Sequence, residues 1–149
     1  MIIRTLEEAD IPAVAALEAA NFSMPWSQAG FFDILGREDV VFLVAYEADT
    51  LLGYVGIYCT AQEGEITNVA VAAEHRRHGV ARGLLCELIR RLEQMGVFRI
   101  VLEVRRSNEP AIRLYEQMDF SVAGTRKNFY EKPTEDAYVM IYQGCGREE

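Results

Sequence analysis

The residues best suited to chemistry form one short turn, Arg76-Arg77-His78-Gly79-Val80-Ala81. An apolar strand pattern precedes this turn and an amphipathic helix pattern follows it, so the turn opens a helix. Backbone N–H groups at a helix start lack intrahelical partners, and the helix dipole is positive there. Gly79 lets a ligand approach the backbone, and Arg82 adds positive charge nearby. The turn predicts a seat for a phosphate-bearing cofactor. A solvated basic helix start is the alternative, because neither a Walker loop nor the dinucleotide fingerprint is present.

The hydrophobic pattern predicts the elements that position this turn. They follow the order β-α-α-β-β-β-α-β-α-β-β, a mixed α/β sandwich with a mostly antiparallel sheet. The strongest helix signal covers residues 80–95. Gly96, which follows them, is expected to end the helix. Five apolar side chains share one face of this helix, namely Leu84, Leu85, Leu88, Ile89 and Leu92. Cys86 is also expected on the apolar side.

The second half of the chain carries the remaining strands and a short helix. Residues 98–104 form an apolar run that suits the middle of a covered sheet. A short helix over 108–118 follows. The last strands, 120–125 and 137–142, are predicted to be joined by a long loop around residues 128–135.

Size and composition narrow the class of protein. The chain has 149 residues, which fits a single domain over 1–149, with residues 144–149 expected as a flexible tail. A net charge of −8 disfavours nucleic acid as a partner and favours basic partners. The histidines and the three cysteines have no metal-site spacing, so no metal is expected. With no apolar run long enough to span a bilayer and no signal peptide at the N-terminus, we expect a cytoplasmic protein without a membrane partner.

A second group of residues lies downstream of the turn, in the segment LEVRRSNEPAIRLYEQMDF over residues 102–120. Both segments together, in this order and at this spacing, resemble the GNAT superfamily of acyl-coenzyme A N-acyltransferases over essentially the whole chain. The resemblance narrows to the RimI group, which are N-terminal acetyltransferases of a small-subunit ribosomal protein. The stretches that carry it are Pro25-Trp26-Ser27, residues 64–71, residues 102–105, Asn128-Phe129-Tyr130 and Glu135-Asp136-Ala137.

The resemblance implies the GNAT fold, a mixed, mostly antiparallel sheet of about seven strands flanked by four helices and splayed at a β-bulge. It also implies acetyl-coenzyme A as co-substrate, with its pyrophosphate on the backbone amides of residues 76–81 and its pantetheine arm along an exposed strand edge. Asn108 is expected to contact that arm, and its residue type also suits a helix N-cap. The implied cofactor-binding residues are Val69, Ala70, Val71, Arg76, Arg77, His78, Gly79, Val80, Ala81, Arg82, Asn108 and Tyr115.

Acetyl transfer to an amine requires a base for the amine and an acid for the leaving thiolate. Glu103 is the candidate base, acting through a water, because it ends a buried strand where burial raises a carboxyl pKa. Tyr115 is the candidate acid, because a phenol can donate a proton to sulfur. An exposed strand-end carboxylate and simple aromatic packing are the respective alternatives. The Val71 N–H is expected to polarise the thioester oxygen.

The candidates for the wall that binds the acceptor are Phe22, Trp26, Glu65 and Tyr130. Glu65 can pair with a cationic acceptor or can be a solvated strand residue. Trp26 can equally anchor the second helix. We expect transfer to the N-terminal α-amine of a ribosomal protein by direct attack in a ternary complex. Acetylation of a lysine or a small amine, and a silent coenzyme A-binding domain, remain the alternatives.

Overall fold

Seven strands form one open sheet in the order β1-β2-β3-β4-β5-β7-β6, in a computed structural model that describes residues 1–144. Every neighbouring pair is antiparallel except β4 with β5. The strands are β1 (Ile2–Thr5), β2 (Val40–Glu47), β3 (Thr50–Thr60), β4 (Glu63–Val71), β5 (Arg99–Arg105), β6 (Phe120–Tyr130) and β7 (Glu135–Gln143). The predicted fold class and element order are confirmed.

Four α-helices cover the two faces of the sheet: α1 (Ile11–Asn21), α2 (Gln28–Asp33), α3 (Val80–Gln94) and α4 (Glu109–Gln117). One apolar cluster joins α1 and α2 to the sheet around Phe31 and Tyr54. The other joins α3 and α4 to the opposite face, around Leu85 and Leu88. Within residues 1–144, no helix combines the length and apolar character that crossing a membrane requires.

Helix α3 forms as its pattern predicts. Leu84, Leu85, Leu88 and Leu92 are fully buried against the sheet, and full burial of one such side chain contributes roughly 1.5–3 kcal/mol. Gly79 caps the start of the helix at φ +80° and Gly96 follows its end at φ +81°. The core therefore holds the first turn of α3 firmly at the end of β4.

The sheet divides at the middle of β4. Residues Glu63 to Ile66 pair with Arg99 to Leu102 of β5, and the pairing stops there. On the other edge, Ile57 pairs with Ile66 while Gly56 pairs with Asn68, so Thr67 is an extra residue in β4 and forms a β-bulge. Beyond the bulge, β4 runs to Val71 without a partner in β5, which confirms the expected splay.

Three sequence-based expectations are wrong. No long loop spans 128–135, because β6 continues to Tyr130, β7 begins at Glu135 and a four-residue turn joins them. Cys86 is exposed, because it lies off the leucine face of α3. Gly144, expected in the flexible tail, is buried and donates its N–H to the Phe98 carbonyl at 2.6 Å. The rest of that tail, residues 145–149, lies outside the described residues.

Candidate active site

The start of α3 presents unpaired donors to open space. The first helical hydrogen bond of α3 runs from the Gly83 N–H to the Gly79 carbonyl at 2.9 Å, so the N–H groups of residues 80–82 lack intrahelical acceptors. A Cβ added at Gly79 would meet no atom within 4 Å. Arg77 also has a positive φ of 67°, and both Arg77 and His78 are exposed. This arrangement fits a phosphate group, as the sequence predicts.

Two of the arginines expected near the phosphate, Arg76 and Arg82, form hydrogen bonds with other residues of the chain. Arg76 donates from Nε to the Val71 carbonyl at 3.1 Å and from Nη2 to Asn21 Oδ1. Arg82 donates to Gln117 Oε1 at 2.7 Å. Both guanidinium groups keep positive charge near the turn, and they also fasten the ends of α1, β4 and α4 around it.

The edge of β4 next to the splay offers backbone groups to a ligand. The Ala72 N–H donates to the Leu52 carbonyl at 2.8 Å, and bonds to one neighbour alternate along an antiparallel strand. The N–H and carbonyl of Val71 therefore face the opposite edge, where Arg76 contacts the carbonyl. Val69 has the same orientation. Ala70 lies between them, with its backbone toward β3 and a buried side chain.

Glu103 lies on β5 beside the splay, and its side chain is 10% exposed. The carboxylate of Glu65, on the neighbouring strand β4, is close enough to interact with it, and Arg126 Nε lies 3.6 Å from Glu103 Oε2. Burial, and then the negative charge of Glu65, raise the pKa of Glu103, while Arg126 opposes this. A largely buried carboxyl with a raised pKa has the character of a general base.

Tyr115 lies on α4 with 5% exposure, and its ring packs 5.6 Å from that of Phe120. Burial raises its pKa, so the phenol stays protonated at neutral pH. Within residues 1–144, no group hydrogen-bonds to its hydroxyl. Aromatic packing and an available proton therefore coexist in this side chain.

Tyr130 is the neighbour that Tyr115 and Glu103 share. Burial and the negative charge of Glu103 raise the pKa of Tyr130 to about 12, and Tyr130 in turn acts on the pKa of Tyr115. The guanidinium of Arg105 lies 4.5 Å from the centre of the Tyr130 ring. The predicted base, the predicted acid and one predicted acceptor-wall residue thus come together at one end of the splay.

Asn108 caps α4, since its Oδ1 accepts the Ala111 N–H at 3.3 Å. This leaves its amide Nδ2 available as a donor, because that atom has no partner in the described part of the chain. The structural role and a ligand contact are therefore compatible, as the sequence suggests.

The α1–α2 loop and the β6–β7 turn contact each other. Ser23 Oγ donates to the Glu131 carbonyl at 3.0 Å. Arg105 holds the same turn by donating to the carbonyls of Glu131 and Pro133 at 3.1 and 3.0 Å and by pairing with Glu135 at 3.2 Å. These contacts fix one border of the candidate acceptor surface.

Trp26 packs against α2, as one of the two interpretations of the sequence expects, and its place in the acceptor wall stays a prediction. Its ring packs 5.2 Å from Phe31, which anchors α2, and lies edge-on to Tyr58 at 6.5 Å. Tyr58 is directly opposite Glu65 across the β3–β4 pair. Phe22 is 39% exposed at the start of the loop. An aromatic and acidic strip therefore extends from Trp26 towards Glu103.

Sequence reasoning missed Glu18 and Arg105. Both act through groups far away in the chain, so no local spacing identifies them. One feature of the sequence could have pointed to Glu18, because it is the single acidic residue in the otherwise uncharged segment Ile11–Asn21. No cluster of metal-ligating side chains was found among residues 1–144.

Comparison of the sequence with known proteins identifies the family of this chain. The sequence pattern of the acetyltransferase (GNAT) family matches residues 11–120. The chain is 35% identical to the [ribosomal protein bS18]-alanine N-acetyltransferase of Escherichia coli K12, over 93% of this chain and 94% of that protein. It is 32% identical to the putative enzyme of the same name from Bacillus subtilis, over 93% and 92%.

A solved structure agrees with the sequence relatives. The crystal structure of the ribosomal-protein-S18-alanine N-acetyltransferase from Escherichia coli superposes with a TM-score of 0.89 at 32% identity, covering 99% of this chain and 97% of the other. Arabidopsis thaliana NAA60 in complex with a bisubstrate analogue shares the fold, with a TM-score of 0.89 at 20% identity and coverage of 97% and 98%. The chain therefore belongs to the acetyltransferase (GNAT) family of acetyl-transferring enzymes, and within it resembles the RimI-type enzymes.

Proposed function

We propose that this protein transfers the acetyl group of acetyl-coenzyme A to the N-terminal α-amine of a protein, and that the acceptor is the small-subunit ribosomal protein bS18. The observation that carries the proposal is the largely buried Glu103 beside the unpaired edge of β4. The RimI-type relatives, named for this acceptor, support its identity.

The residues present fit acetyl-coenzyme A. The donors at the start of α3 and the space above Gly79 suit its phosphates. The Val71 N–H suits a carbonyl oxygen, because no strand partner competes for it beyond Ile66. When bound, acetyl-coenzyme A supplies the acetyl carbon and a thiol leaving group.

The reaction needs one proton taken and one proton given. Glu103 takes a proton from the acceptor nitrogen, through a water, as the nitrogen–carbon bond forms. The Val71 N–H stabilises the negative charge that develops on the oxygen. Tyr115 donates its phenolic proton to the sulfur as the carbon–sulfur bond breaks. Proton exchange with solvent then returns Glu103 to its ionised form and Tyr115 to its protonated form, so the protons balance over one turnover.

The acceptor amine needs only mild activation. A protein α-amine has a pKa of about 8, against about 10.4 for lysine, so a modest base suffices at cytoplasmic pH. Glu65 adds a carboxylate in front of Glu103 that can receive a cationic acceptor. The net charge of −8 favours a basic protein as partner.

Intact-mass analysis after incubation with acetyl-coenzyme A tests the proposal. Two basic peptides serve as acceptors: one has a free N-terminal alanine, and the other is N-blocked with an internal lysine. We expect one acetyl group on the first peptide alone, and slower transfer by Glu103→Gln. Acetylation of the blocked peptide would replace the proposal with lysine acetylation. Modification of neither peptide would contradict it and leave a small amine or pure cofactor binding.

A further inference from the structure

Glu18 is a buried carboxylate that the proposed mechanism does not use. It is the one charged residue of α1 and is 3% exposed. Val14, one turn earlier in α1, belongs to the apolar cluster between α1, α2 and the sheet. No ion pair of residues 1–144 includes Glu18. A buried charge without a cation is destabilising unless hydrogen bonds satisfy it.

Three donors from different parts of the chain converge on this carboxylate. Tyr54 donates from its hydroxyl to Oε1, the Asn68 amide from Nδ2 at 3.3 Å, and the Trp26 backbone N–H to Oε2 at 3.0 Å. A carboxylate is acceptor-only, so it can serve all three. A glutamine would turn an NH2 group towards one of them.

Two of these donors belong to the splayed segment of β4 or to β3, the strand that pairs with it. Asn68 follows the bulge residue Thr67, whose hydroxyl donates to Asn68 Oδ1 at 2.6 Å. Tyr54 pairs with Ala70 across the β3–β4 ladder. Both amide atoms of Asn68 are therefore used, and Glu18 fixes the strand just before the open edge at Val71.

The third donor belongs to the candidate acceptor wall. The Trp26 N–H lies where the α1–α2 loop enters α2, and the Trp26 ring faces Tyr58. One carboxylate thus contacts both the strand that offers its edge to the cofactor and the loop that borders the acceptor.

We infer that Glu18 is a positioning residue that sets the splayed half of β4 and the Trp26 loop relative to each other. This inference rests on the proposed function. Its consequence is that binding of the cofactor and binding of the acceptor both depend on a group that touches neither.

Asp10 provides a matched control. It is also 3% exposed and also accepts from a tyrosine, Tyr46, at 2.9 Å and from a backbone N–H, that of Glu7, at 2.8 Å. It lies at the opposite end of the α1 region, where it pairs with Arg4 of β1, away from the splay. Replacing either carboxylate by its amide removes a buried charge from a comparable network.

The experiment compares Glu18→Gln with Asp10→Asn by urea unfolding, by calorimetric titration with acetyl-coenzyme A, and by initial rates with the free-alanine peptide. We expect both variants to lose stability. We expect Glu18→Gln alone to raise the cofactor Kd and the peptide KM about ten-fold, in line with loss of a hydrogen bond to a charged group. A second pair of variants, Tyr54→Phe and Tyr46→Phe, serves if Glu18→Gln does not fold. Tyr54→Phe should raise the cofactor Kd and the peptide KM by a smaller factor, and Tyr46→Phe should leave both unchanged.

Equal binding and kinetics in the two members of each pair, with an active wild type, would overturn the positioning role and leave Glu18 purely structural. A wild-type protein that does not bind acetyl-coenzyme A would instead overturn the proposed function, and the inference with it. The two failures are therefore distinct.

Discussion

Substitution of Gly79 by glutamate tests whether the start of α3 is a phosphate-binding site or an ordinary solvated helix start. Gly79 has a φ of +80° and open space where a Cβ would stand. The variant Gly79→Glu should therefore fold, with a loss of roughly 1–2 kcal/mol from the left-handed backbone. For a chain of this size that corresponds to a fall in Tm of several degrees, at about 2–4 °C per kcal/mol.

The loss of cofactor affinity should be much larger than the loss of stability would explain. A carboxylate placed about 6 Å from one phosphate charge, at an effective dielectric constant of about 20, adds roughly 3 kcal/mol of repulsion. That energy corresponds to a Kd raised about 100-fold at low salt, and bulk in the seat adds to it. Calorimetric titration with acetyl-coenzyme A measures the change.

Gly96 offers the matched control at the other end of α3. It has a φ of +81° and the same open space for a Cβ. An acidic residue is unfavourable at a helix C-terminus and favourable at the N-terminus, so Gly96→Glu should lose at least as much stability as Gly79→Glu. Its affinity for acetyl-coenzyme A should stay normal. Normal affinity in Gly79→Glu, or an equal loss in both variants, would refute the assignment of the seat.

Further expectations concern catalysis and the core. Tyr115→Phe should lower kcat by about 100-fold or more and change the cofactor Kd little, because it removes a proton and keeps the ring; an unchanged single-turnover rate would exclude the role. Glu65→Gln removes the negative charge that helps to raise the pKa of Glu103, so the acidic limb of kcat/KM against pH should move to lower pH; a stationary limb would contradict the pairing. Leu88→Ala should reduce the free energy of unfolding by about 2–5 kcal/mol in a urea titration, whereas Met95→Ala, at a side chain 48% exposed, should change it little.

The sequence was sufficient where one local pattern decides the structure. The leucine period of α3 and the apolar run of β5 predicted both elements, and Asn108 acquired its cap as its residue type suggests. The predicted length of the β6–β7 connection was wrong, because Lys132, Pro133 and the neighbouring polar residues are typical of a loop. Strand β6 is mostly exposed and owes its length to pairing with β7, which no local signal reveals.

The residues of the candidate site also fall into those that the sequence could indicate and those that it could not. Glu103 and Tyr115 were proposed as base and acid from residue type, from position on their elements and from resemblance to a family, and these roles stay predictions. The network around Glu18 was not, because its donors come from the α1–α2 loop, β3 and β4 and meet only in the folded chain.

The parallel pair at the centre of the sheet also bears on how the protein opens and folds. Within residues 1–144, only four residue pairs, Glu63–Ile66 with Arg99–Leu102, join the antiparallel strands β1 to β4 to the antiparallel group of β5, β7 and β6. Three of the pairs inside these groups, β2–β3, β3–β4 and β6–β7, are local hairpins, whereas the seam joins two strands that α3 separates in the chain. We expect the two groups to behave as separate cooperative units in native-state hydrogen exchange, with the seam amides exchanging through a smaller opening than those of β3. The splay, where we propose that the cofactor binds, is then also expected to be the weakest line in the sheet.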